Sequence, residues 1–205
     1  MPISGVVMGS QISAAMFSNG LVGENVTSMS NAIGSAVANN FLTSGLYVGA
    51  STGLGLGAGV STGKITGGIT IAPALSGLIL TQMFAFGLVG ESTPKLANAI
   101  GSGVANHMNL ALVQGASTVV GIGTGTGTIV GIIGPVLGGL IFAQLSARGI
   151  VGINTLQISQ AVGNAIAIAT TLSIVNTTIV GAAVGPVPPA FPPVPAVGTD
   201  TGKII

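Results

Sequence analysis

One four-residue turn signal occurs three times in this chain, and its spacing sets the scale of any fold the chain adopts. Gly20-Leu-Val-Gly23 returns as Gly87-Leu-Val-Gly90 and, with one change, as Gly149-Ile-Val-Gly152. Eight residues beyond each motif comes a second match: Asn31-Ala-Ile-Gly34, Asn98-Ala-Ile-Gly101 and Gln160-Ala-Val-Gly163. The first two continue as Ser35-Ala-Val-Ala-Asn39 and Ser102-Gly-Val-Ala-Asn106, and later share Gly49-Ala-Ser-Thr52 and Gly115-Ala-Ser-Thr118. Upstream, Pro73-Ala-Leu-Ser-Gly-Leu-Ile79 answers Pro135-Val-Leu-Gly-Gly-Leu-Ile141. Self-similarity on this period marks supersecondary units that bury their apolar faces against their neighbours. The expected division is three tandem pseudo-repeats, at 1–63, 64–127 and 128–185, with a Pro-rich tail at 186–205.

Inside each unit the apolar period after the turn is helical. Met29, Ile33, Val37 and Phe41 lie four apart, as do Leu96, Ile100, Val104 and Met108, and Ile158, Val162 and Ile166. That spacing draws a narrow stripe along one helix face. Ser92 or Thr93 followed by Pro94 is a helix-start signal. Glu24 and Glu91 fall near helix starts, where the macrodipole favours a carboxylate. The apolar runs Pro73 to Phe86 and Pro135 to Ala147 predict a second short helix ahead of each turn. Each unit is therefore expected to be a helical hairpin turning at its GLVG motif.

Beyond the hairpins, Gly53-Leu-Gly-Leu-Gly-Ala-Gly59 and Gly121-Ile-Gly-Thr-Gly-Thr-Gly127 alternate with period two, which predicts extended chain. A glycine face packs only against backbone at close range. These ladders are expected as strands or extended connectors along a crowded axis or interface, paired with each other or packed on a partner's backbone. In the third unit the ladder gives way to Gly185-Pro-Val-Pro-Pro-Ala-Phe-Pro-Pro-Val-Pro195, a polyproline II pattern expected to serve as a semi-rigid docking tail. The fold class expected is α+β or mainly α.

Composition narrows function. The only ionic side chains are Lys64, Lys95, Arg148, Lys203, Glu24, Glu91 and Asp200; His107 is the single histidine, and cysteine and tryptophan are absent. Charged residues make up 3% of the chain, against about 25% in an ordinary domain. The chain's 35 glycines compare with roughly 14 expected from average usage. Each glycine inside a regular element costs about 0.5–1 kcal/mol relative to alanine. Few charges and excess glycine together favour a surface hidden against other subunits.

No catalytic, cofactor-binding or metal-binding residue is expected, and no cofactor. Glu24 and Glu91 occupy equivalent points in two units and read as helix-start features; Ile153 stands there in the third. His107 has Asn40 and Ala169 as its equivalents, which argues against acid–base work. The segment Ala58-Gly-Val-Ser-Thr-Gly63-Lys64-Ile65 departs from a phosphate loop at Ala58 and Ile65. Gly53-x-Gly55-x-x-Ala58 lacks the acidic residue a dinucleotide fold needs. Thr124-Gly-Thr-Gly-Thr128 is too short a row for an ice-binding face. Asn25-Val-Thr27 and Asn176-Thr-Thr178 match the glycosylation sequon, which matters only in a secreted chain. A net charge of +1 offers no basic patch for nucleic acid. Met1 to Ala15 lacks the positive start of a secretory signal.

Membrane insertion is the main alternative. No formal charge separates Lys95 from Arg148, and Ile129 to Ala147 is 19 residues long, near the ~20 that span a bilayer. That run holds Pro135 and four glycines, however, and has no aromatic belt. Near-zero charge, tandem N-A-I-G-x-x-V-A-N helices and G-x-G-x-G ladders resemble small glycine-rich virion structural proteins of tailed bacteriophages. The resemblance implies a non-enzymatic building block located in the virion (tail, baseplate or capsid-associated), partnered by other virion proteins in symmetric surroundings. Three equivalent units in one chain would match a three-fold or multi-subunit neighbour. The alternative is a holin-like or pore-forming membrane protein.

Overall fold

A computed structural model describes residues 3–54, 59–117, 122–181 and 195–204. It is an α+β structure in which two helices followed by two strands occur three times along the chain. The first group is α1 (Gly5–Ser18), α2 (Glu24–Ser44), β1 (Gly45–Leu54) and β2 (Gly59–Gly67). After a single 3₁₀ turn at Gly68–Thr70 come α3 (Ala72–Ala85), α4 (Ser92–Met108), β3 (Leu112–Ser117) and β4 (Ile122–Val130). The last group is α5 (Gly134–Ala147), α6 (Thr155–Thr171), β5 (Ile174–Gly181) and β6 (Pro195–Ile204).

The helices pack in a closed ring, α1 on α2 and so on round to α6 on α1. The strands close as well: six antiparallel neighbours run β1 to β6, and β6 returns to β1. Register is set by pairs such as Tyr47 with Ile65, Val113 with Ile129, and Val175 with Ile204. Each strand pair leaves a helix and, in the first two groups, leads into the next one. The three helical turns therefore lie at the end of the ring away from the barrel.

The helical stripes are buried as their spacing predicts. Ile33, Val37, Phe41, Ile100, Val104, Met108, Val162 and Ile166 are inaccessible to solvent. The first helix of each hairpin adds Met8, Ile12 and Met16, then Leu75, Ile79 and Met83, then Leu137, Ile141 and Leu145. Burying each such side chain contributes about 1.5–3 kcal/mol. Pro73 and Pro135 sit in the first turns of α3 and α5, where a fixed φ suits the helix and no N–H is missed. Glu24 lies in the first turn of α2. Glu91, not Ser92 or Thr93, takes the position before α4, and its side chain makes no capping bond.

The glycine in the N-A-I-G matches is where the paired helices touch. A Cβ on Gly34 would lie 2.7 Å from Cα of Gly9 and 2.8 Å from O of Gly5. On Gly101 it would meet N of Ser76 at 2.7 Å, and on Gly163 Cα of Gly138 at 2.7 Å. The contact is therefore backbone to backbone in all three hairpins, with the small side chain of Ser76 added in the second.

The barrel has a small-residue lining. Along β1 and β2 the inward positions include Tyr47, Gly49, Ser61, Gly63 and Ile65. Val113, Gly115, Gly127, Ile129 and Val175 continue that face. Tyr47 is fully buried; its ring leaves no room for a Cβ on Gly49 or Gly63, and its hydroxyl hydrogen-bonds Ser61 Oγ at 2.7 Å. A six-stranded barrel is narrow, and here glycine makes room for one tyrosine. Apolar barrel residues at the helical end join the helices in one core cluster.

Several expectations change in detail. The extended stretch after each hairpin is two paired strands, because small inward residues such as Gly49, Gly115 and Ser61 mask the in-and-out apolar alternation. The ladder strand β4 finds its neighbours, β3 and β5, within the chain rather than on a partner. Gly53, the first residue of the first ladder, lies near the end of β1, and Gly59, its last, opens β2; residues 55–58 lie outside the described residues. The divisions at 63/64 and 127/128 fall inside β2 and β4. Of the Pro-rich tail, Pro195–Ile204 is β6, held between β5 and β1; the polyproline II reading of 186–194 lies outside the described residues.

Candidate functional site

The titratable groups do not converge. Among the described residues no cluster of three His, Cys, Asp or Glu side chains has metal-holding geometry. Glu91 pairs with Lys95 one turn along α4 at 3.6 Å, an exposed pair of little energetic weight. Glu24 opens α2, one hairpin away. Arg148, just past α5, donates to the backbone O of Gln144 at 3.1 Å and to Ser102 Oγ of α4 at 3.2 Å, tying two hairpins together. Lys64 is exposed on β2, and Asp200 lies in β6 opposite Gly49 and Ile179.

His107 has a structural place that its sequence context did not reveal. It is buried near the end of α4, and its Nε2 accepts the backbone N–H of Ile133 at 3.1 Å, across the joint to α5. Nε2 is thus the unprotonated nitrogen, and the proton sits on Nδ1, which is buried and has no hydrogen-bond partner. Burial holds its pKa below the ordinary 6.5, because the charged form would lose its hydration. Asn40, at the equivalent point of α2, is also buried and accepts from Ser44 Oγ at 2.8 Å. The His107 bond crosses to the next group, whereas the Asn40 bond stays within α2.

The sites that the three groups share on the surface are the helical turns. Gly20, Gly87 and Gly149 have φ of 76°, 77° and 75°, the left-handed region that glycine enters without strain. Each closes a Schellman cap: the N–H of Leu21, Leu88 and Ile150 reaches back to the carbonyl of Met16, Met83 and Leu145 at 2.9–3.0 Å. The glycine N–H bonds Phe17, Phe84 and Ser146 in turn, each at 3.0 Å. Those paired bonds fix the next residue outward. Val22, Val89 and Val151 are 81%, 78% and 75% exposed, and Ile153 is 93% exposed. Phe17 and Phe84, one turn earlier, are also exposed.

A second apolar surface runs round the barrel, where Leu46, Val48, Val60, Leu112 and Ile174 point outward among Thr62, Lys64, Gln114, Thr126 and Thr128. Among the described residues no helix is long and apolar enough to cross a membrane. The chain matches no family model, no curated protein and no solved structure.

Proposed function

We propose that this chain is a non-enzymatic structural component of a large symmetric assembly, a bacteriophage virion protein of the tail, baseplate or capsid-associated kind, seated among other virion proteins. The carrying observation is the presentation of one apolar side chain at the same point of three rigid turns, on one end of a closed ring. On this reading the chain is three tandem copies of one unit, each a helical hairpin and a strand pair, arranged about an approximate three-fold axis. The matching glycine contacts at Gly34, Gly101 and Gly163 support it. Scarce charge and exposed apolar side chains then have one cause, since buried subunit contacts are depleted in charge.

A second reading, membrane insertion as a holin-like or pore-forming protein, is favoured by the outward Leu46, Val48, Val60, Leu112 and Ile174. Tyr47 across the lumen weighs against an open pore. Sedimentation followed by alkaline extraction separates the two. A virion component pellets with particles and leaves membranes on extraction; retention in the extracted bilayer supports the second reading and removes the first.

A further inference from the structure

We propose that His107 is an acid-released latch: it holds the chain leading into α5 against the end of α4, and on acidification the helix ring opens there first, between the second and third groups. The latch is a property of the fold and stands whether the chain works in a virion or in a membrane.

His107 is 3% exposed and is the residue before the last of α4. Its Nε2 accepts the N–H of Ile133, the residue that precedes α5, at 3.1 Å. Only Gly131, Ile132 and Ile133 join β4 to α5, and Gly131 takes a φ of 84° with open space around it. The imidazole thus fastens a short link that has no packing of its own at its first residue. The corresponding joint into α3 is fastened without a titratable group. There Asn109 Nδ2 donates to the carbonyl of Thr70 at 3.2 Å, and Asn40 accepts from Ser44 inside α2.

An acceptor nitrogen that takes a proton becomes a donor. Protonated Nε2 faces the Ile133 N–H donor to donor, and the bond is lost. The imidazolium is then buried with neither N–H paired, because Nδ1 already has no partner among the described residues. No anion is placed to receive the charge. α4 packs on α3, α5 and the 3₁₀ turn at Gly68–Thr70, and none of these carries an ionisable side chain. On α4 itself Lys95 lies about 18 Å back along the axis, with Glu91 beyond it. Arg148, bonded to Ser102, and Lys64, opposite Leu112, are both cations. Hydration is the remaining relief, and it requires the ring to swing out and free Ile133. Burial keeps the latch closed at neutral pH by lowering the His107 pKa. The Arg148–Ser102 bond does not titrate in this range, so α4 and α5 stay tied nearer the turns while the barrel end opens.

The test is hydrogen exchange of the full chain, read by mass spectrometry between about pH 7.5 and 4.5 and corrected for the intrinsic amide rate. The expected result is a loss of protection of about tenfold or more in peptides covering 104–110 and 131–137, with peptides covering 37–43 and 70–76 unchanged. An even loss across all the helices, or no loss at 131–137, overturns the latch. His107→Gln, whose amide oxygen can accept the Ile133 N–H but takes no proton, should keep its protection throughout; a loss as large as the parent's overturns the proposal. The parent alone supplies a second measurement that needs no variant. The imidazole resonances of the single histidine should titrate with the same midpoint as the loss of protection at Ile133, and separate midpoints overturn the proposal.

Discussion

Replacing Gly34 by alanine sets two effects of opposite sign against each other, and the structure decides which wins. Alanine is favoured over glycine in a helix interior by about 1 kcal/mol. The new methyl, however, points at the backbone of α1, 2.7 Å from Cα of Gly9 and 2.8 Å from O of Gly5, where ordinary contact is 3.4 Å or more. No flexible side-chain tip is there to yield, so the hairpin must open by several tenths of an ångström. Overpacking of that kind costs about 1–3 kcal/mol. The expected net loss for Gly34→Ala is about 0–2 kcal/mol, a fall in Tm of up to roughly 8 °C for a chain of this size. Gly77→Ala and Gly139→Ala are the controls: both are in helices, with nothing within 4 Å of the new Cβ. Each should raise Tm by about 2–4 °C through propensity alone. Thermal melts followed at 222 nm read all three, because the helices dominate that signal. Should Gly34→Ala melt as high as the controls, α1 and α2 do not meet at that glycine and the packing account is refuted.

Four further outcomes follow from the same structure. Gly20→Ala, Gly87→Ala and Gly149→Ala each force an L residue into a left-handed turn with open space around it, at a cost of about 1 kcal/mol; chemical denaturation should show near-additive losses in the triple variant. Tyr47→Phe removes the hydroxyl that meets Ser61 and should lower stability by about 0.5–1.5 kcal/mol in urea unfolding, while Tyr47→Ala empties the lumen and costs about 3–5 kcal/mol. Tyr47 is also the only tyrosine in a chain without tryptophan, so its fluorescence reports the barrel; its transition should coincide with that of the helices if the shared core is one cooperative unit. His107 has a folded-state pKa below 6.5, so the unfolded chain binds the proton more readily; stability is full above about pH 6.5 and falls as the pH drops through 6.5 toward the lower folded value. Denaturation midpoints between pH 7.5 and 5 should show that fall in the parent and not in His107→Gln.

The turns and the helical stripes were legible because their signals are local. Gly20, Gly87 and Gly149 need a left-handed φ, and Ile33, Val37 and Phe41 repeat at helical spacing, so both kinds of residue read directly from the chain. The strands were half legible. Glycine alternation marks extended chain but not its neighbour, and the inward face of Gly49, Ser61, Gly63 and Gly115 carries too little apolar signal to announce a barrel. Pro195–Ile204 was harder still, since the proline run that leads into it reads as polyproline II, while the pairing that makes it a strand comes from β5 and from β1, the latter far away in sequence. His107 looked idle because its partner, the Ile133 amide, lies in the following group. The valines of the GLVG turns were visible as letters, but only burial separates Leu21, turned inward, from Val22, turned out. Closure of the ring and the barrel is a sum of long-range contacts with no local signature.

Quantitative mass spectrometry of purified particles tests the central claim most directly, because it asks whether the chain is a building block of them. The account predicts this polypeptide in washed particles at a fixed ratio to the other particle proteins. Its absence from particles, with the chain recovered instead in the membrane fraction or alone in solution, would contradict the account.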